Sequence, residues 1–211
     1  MSNQIDQIMK KTQQYWYVDG LAEIGTGGLF LLLGLAYLGI GFLPWQGVRA
    51  LLLGLGMPLV ILAGIVAVRW FVSQAKERIT YPRTGYIEYR KPKTARRWIL
   101  MVVSGVISAG LIALLINFMP VIGDRFVMAM TGVMVFFLMS LLAFRVSVWR
   151  FVLVGLAALV GGLLGTFFDL PDAYGSALFF GSFGTAWMIS GVLTLRTYLT
   201  KTHPVQEQDN E

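Results

Sequence analysis

Two carboxylates stand where carboxylates are expensive. Asp19 and Glu23 lie four residues apart at the head of the apolar run GLAEIGTGGLFLLLGLAYLGIGFL, 20–43. A continuous helix puts both on one face, at the mouth of a membrane span. Two chemistries are open to such a pair. It can hold a cation or proton, or it can be neutralised by arginines, for which Arg69, Arg97, Arg145 and Arg196 fall at the same level. The second reading has added support, because a helix N-terminus favours negative charge. Asp169 and Asp172, which bracket Pro171, read instead as a helix stop and start, with Asp172 placed to cap the last span.

A second cluster is basic. In KERITYPRTGYIEYRKPKTARR, 76–97, Ile79 and Tyr81, then Tyr86 and Ile87, flank a Pro-Arg-Thr-Gly turn from Pro82 to Gly85. Proline at the second turn position and β-formers on either side predict a small cytoplasmic β-hairpin. It would present Tyr81, Tyr86 and Tyr89 among Arg78, Arg83, Arg90, Lys91, Lys93, Arg96 and Arg97. An isolated hairpin is marginal in water, so this surface is expected to bind anionic lipid or a cytoplasmic protein partner.

Most other chemistry is excluded by composition. The chain has no cysteine and one histidine, His203, in a polar tail, which removes thiolate metal sites, histidine-held zinc and bis-histidine haem. No nucleophile elbow, HExxH or phosphate-cradling loop with its lysine occurs, and GTGG at 25–28 lies within an apolar run. The expectation is a non-enzyme without cofactor or metal. A net charge of +6 and a pI near 9.7 would suit a nucleic-acid binder, but the surplus lies within reach of span ends, as membrane topology demands. No nucleic-acid partner is expected.

The elements that position these residues follow from hydropathy. Of 211 residues, 56% are hydrophobic and only 13% charged, about half the charge of an ordinary soluble domain, and mean hydropathy is +0.69. Six apolar stretches, 20–43, 48–71, 98–119, 126–144, 149–168 and 173–195, are each long enough to cross about 30 Å of hydrocarbon. The predicted fold is therefore an all-α membrane protein, a six-transmembrane-helix bundle. Residues 1–19 form an amphipathic cytoplasmic helix, 20–196 the membrane domain with its basic loop 72–97, and 197–211 a polar tail. The polar start contains no signal-peptide core. Of the 17 lysines and arginines, all but Arg49 and Arg125 fall on one side when the spans alternate. That side is the cytoplasm, and both termini are expected there. Small residues at four-residue spacing, such as Ala157, Gly161 and Gly165, or Ala177, Gly181 and Thr185, predict close helix contacts and are compatible with a homo-oligomer. A faint similarity of 96–115 to 148–167 hints at a parallel repeat.

YWYVDGLAEI at 15–24, taken with ERITYPRTGYIEY at 77–89, resembles a family of small uncharacterised bacterial multi-pass membrane proteins. The resemblance covers mainly the first ninety residues and implies a bacterial inner-membrane protein whose signature includes Asp19, Glu23 and the hairpin. It implies no activity. The sequence thus points to a non-catalytic membrane subunit or scaffold presenting a basic cytoplasmic surface, with a small oligomeric transporter or channel as the alternative. It also makes pairing of Asp19 or Glu23 with Arg78, Arg83 or Arg90 an expectation to be tested.

Overall fold

The computed structural model describes residues 17–84 and 126–202. Five of the helices formed by these residues are long and apolar enough to cross a membrane: α1 (Leu21–Gly41), α2 (Gln46–Thr80), α3 (Val127–Val146), α4 (Arg150–Phe167) and α5 (Asp172–Lys201). Such a set of helices is compatible with a multi-pass membrane protein. Contacts divide the chain into two compact units, Met1–Gly85 with Met128–Glu211, and Tyr86–Val127. The five helices belong to the first, apart from Val127 at its edge.

Two expectations are corrected. The described residues supply five candidate spans rather than six; the predicted third span, 98–119, lies outside them, as do residues 1–16 of the amphipathic helix expected over 1–19, while 17–19 form a turn into α1 and not helix. Nor does a β-hairpin follow the second span. The described residues contain no strand, and the arm expected at Ile79–Tyr81 is wound into helix that continues through Tyr81–Thr84. The N–H of Tyr81 bonds to the carbonyl of Lys76, five residues back.

That wide turn has a partner and a shared cause. Within α2, Leu52–Gly56 and Lys76–Thr80 are both π-helical, and each ends two residues before a proline, Pro58 and Pro82. A proline has no N–H to donate and its ring presses on the carbonyl four residues earlier. Widening the turn to five-residue hydrogen bonds relieves that clash and keeps the helix continuous. Proline therefore does not end the helix in favour of a hairpin; the chain winds through it.

α1 and α5 pack almost backbone to backbone. A Cβ placed on Gly27 would lie 2.6 Å from the Met188 nitrogen, and one on Gly184 would lie 2.6 Å from the Leu31 nitrogen. Gly34 approaches Gly181 and Ala177 in the same way. Only glycine permits this approach, and without a hydrophobic drive in lipid such close packing is what holds helices together. Aromatic rings fill the rest of the seam. Phe30 stacks on Trp187 at 5.8 Å and on Phe180 at 6.1 Å, and Tyr37 stacks on Phe180 at 5.4 Å. Val154, Ala158, Phe179, Phe183 and Trp187 form the core between α4 and α5. α3 joins α4 through Gly132, whose Cβ would meet the Ala158 carbonyl, and through Gly162.

α2 is different. Of its long apolar segment 57–75 only Met57 and Val72 are buried. Its last turn, however, buries Lys76 and Thr80.

Candidate functional site

The buried polar groups gather at one end of the bundle. Gly20, with φ of 69°, turns the chain into α1 at a position where a Cβ would strike the Gly191 carbonyl. This tight entry sets Asp19 and Glu23 against the neighbouring helices, with relative exposures of 0% and 1%.

Asp19 is held from three directions. Its Oδ1 accepts the Leu21 N–H at 3.1 Å, and its Oδ2 accepts the Thr80 hydroxyl at 3.0 Å. Lys76 Nζ lies 3.2 Å from the same Oδ2. Lys76 and Thr80 are four residues apart, so one face of α2 delivers both. Tyr198 of α5 donates its hydroxyl to the Thr80 carbonyl at 3.5 Å, which ties α2 to α5 as well.

Glu23 is held by α4 and α5. Arg150 donates from Nε to Oε1 at 2.9 Å and Oε2 at 3.2 Å, and from Nη2 to Oε1 at 2.5 Å. Ser190 of α5 donates its hydroxyl to Oε2 at 2.7 Å. The Nη2 of Arg150 also donates to the Tyr17 carbonyl at 2.6 Å. Side-on guanidinium pairs of this kind are among the strong hydrogen bonds, and they fix geometry as well as charge. Tyr17 meets Phe151 edge to face at 5.2 Å, and burial, with a smaller push from the Glu23 charge, holds its phenol above the usual tyrosine range.

Each carboxylate oxygen is thus engaged by the chain itself. The partners are Lys76 and Arg150, not Arg69, Arg78, Arg145 or Arg196. Arg97, Arg90, Tyr86, Tyr89, Lys91, Lys93 and Arg96 lie outside the described residues, and the side chain of Arg83 likewise. Among the described basic-loop residues, Arg78 is exposed and Tyr81 half-buried. No group of three or more metal-ligating side chains occurs among the described residues.

At the opposite end Arg49 has a local task. It donates to the carbonyls of Leu43 at 2.5 Å and Gly41 at 2.7 Å, satisfying the end of α1. Asp172 is not the cap expected of it: Pro171 precedes α5 and Asp172 stands in its first turn.

Beside the Glu23 node, a groove of about 910 Å³ opens between α4 and α5. Arg150, Lys201, Tyr198 and Val18 lie at its polar end, while Leu153, Ala186 and Ile189 line its apolar length. Sequence reasoning gave no sign of it, because a groove depends on how two helices diverge and not on the residue types of either. No family model, curated protein or solved structure matches this chain.

Proposed function

We propose that this protein is a non-catalytic membrane subunit or scaffold of the bacterial inner membrane. The observation that carries the reading is the closure of the acidic site. Asp19 and Glu23, the carboxylates best placed for ion chemistry, have their oxygens spent on Lys76, Thr80, Arg150, Ser190 and a backbone N–H. A cation would have to displace these partners, whereas a clasp needs them. The clasp fixes α1, α2, α4 and α5 together at one end, which suits a rigid platform. Immediately after it the sequence carries its densest basic stretch, Arg78 to Arg97. By the positive-inside bias this end faces the cytoplasm, where the stretch meets an acidic protein surface.

The test is affinity capture from cells in native nanodiscs, read by mass spectrometry and repeated with the captured protein as bait. It compares the intact chain with a variant carrying Arg78→Gln, Arg83→Gln, Arg90→Gln, Lys91→Gln and Lys93→Gln. A protein recovered reciprocally with the intact chain and lost with the variant supports the reading. Equal recovery by both overturns it, and solute flux in vesicles containing only this chain would replace it with transport.

A further inference from the structure

The groove between α4 and α5 has the form of a site for one lipid molecule. Its lining on α5 runs from Ala186 to Lys201 and Thr202, about 22 Å at 1.5 Å per residue. One bilayer leaflet, hydrocarbon plus headgroup zone, is about 20–22 Å thick. Along that length the chemistry changes in the order a lipid would require. Leu153, Val154, Ala186 and Ile189 line the part beyond Ser190 from the helix end, and Arg150 and Lys201 lie toward the end that carries the clasp.

The hydroxyls along the groove are already satisfied. Ser190 donates to Glu23, Thr194 to the Ser190 carbonyl, Thr197 to the Leu193 carbonyl and Thr202 to the Tyr198 carbonyl. The cations are not. Arg150 spends Nε and Nη2 on Glu23 and Tyr17, and its Nη1 makes no hydrogen bond to a described residue, although 31% of the side chain is exposed. Lys201 is exposed and makes no ion pair among the described residues. Glu23 offsets Arg150, so among the described residues that line the groove the positive charge left without a carboxylate is that of Lys201.

From this complementarity we infer that the α4/α5 groove binds one anionic phospholipid, an acyl chain lying along Ala186 and Ile189 with the phosphate between Arg150 Nη1 and Lys201. The site is built from side chains of α4, α5 and Val18 and does not depend on a protein partner.

The test uses the full chain, purified in mild detergent and titrated with dioleoyl phosphatidylglycerol or dioleoyl phosphatidylcholine, with bound lipid counted by native mass spectrometry. The intact protein should retain one phosphatidylglycerol in about fivefold to tenfold preference to phosphatidylcholine. Lys201→Glu, at an exposed position that makes no bond within the clasp, should abolish that preference while leaving the melting temperature unchanged. Ala186→Phe should displace both lipids by filling the apolar length. Equal retention of the two lipids by the intact protein overturns the inference. So does undiminished phosphatidylglycerol binding in Lys201→Glu, or displacement of the lipid by millimolar inorganic phosphate, which would mark a bare anion site.

Discussion

A carboxylate at the head of an apolar helix announces itself in sequence, because placing it there is costly unless something compensates. Asp19 and Glu23 were legible for that reason. Their partners were not, since many cations lie at one membrane level and only the rotation and register of α2 and α4 select Lys76 and Arg150. The selection can be tested by a double-mutant cycle. Arg150→Met leaves Glu23 buried beside Ser190 alone and should cost about 3 kcal/mol, the low end for breaking a buried pair because Arg150 is partly exposed. Glu23→Leu with Arg150→Met should recover most of that loss in unfolding midpoints measured in detergent; purely additive single effects would remove the pair from the account. Tyr17 supplies a pH test. Its raised phenol means the folded state holds the proton more tightly than the unfolded chain, so its contribution is intact below pH about 10 and declines as pH rises beyond that. Above about pH 10 the melting temperature of wild type should fall more steeply than that of Tyr17→Phe. Parallel curves would mean the phenol is not shielded by the clasp.

Helices are where apolar periodicity speaks most clearly, and the five described spans begin and end within a few residues of the expected stretches except at the ends of α2 and α5, which run on to Thr80 and Lys201. At the end of α2 the alternation of Ile79 and Tyr81 predicted a strand, but Lys76 and Thr80 are anchored on Asp19 from one helical face. Such a tertiary anchor outweighs local β-propensity, which is weak and context-dependent. Small-residue stripes were legible as packing faces but not as to which member matters. The stripe containing Ala177 and Gly181 does meet Gly34, and in that of Ala157, Gly161 and Gly165 a Cβ on Gly161 would strike the Ser182 side chain. Gly184, which no stripe singled out, is the closest approach to α1. Gly184→Val should therefore destabilise by about 2–3 kcal/mol, since its added carbons meet the Leu31 nitrogen and the Gly27 carbonyl, backbone atoms that cannot move aside. Gly181→Ala, whose Cβ meets nothing within 4 Å, should be neutral or slightly stabilising through helix propensity. Equal losses at both positions, measured as unfolding midpoints in one detergent, would mean that α1 and α5 are not in this register.

At the scale of the molecule the clasp also decides which ends share a membrane side. Val18, before α1, and Thr202, after α5, line the same groove, and the ion pairs join the start of α1 to the end of α2 and the start of α4. Arg145, Arg150, Arg196, Lys201 and Lys76 therefore crowd one end, and Arg49 is spent on backbone carbonyls at the other. Exposed tryptophans mark both levels, Trp45 at one and Trp149 at the other, where amphipathic indoles settle among headgroups. Charge bias predicts from sequence which end faces the cytoplasm, because it is a property of composition near span ends and needs no packing detail. The chain lacks cysteine, which makes the sidedness directly measurable. With the basic end in the cytoplasm, Gly47→Cys, at an exposed glycine whose Cβ meets nothing, should react with a membrane-impermeant maleimide in spheroplasts. Thr202→Cys should react only after lysis. Both reacting from outside would break the link between Val18 and Thr202 and the clasp that end α5 shares with α1, while the reverse pattern would keep the clasp and place the basic end outside, contrary to the bias that oriented it.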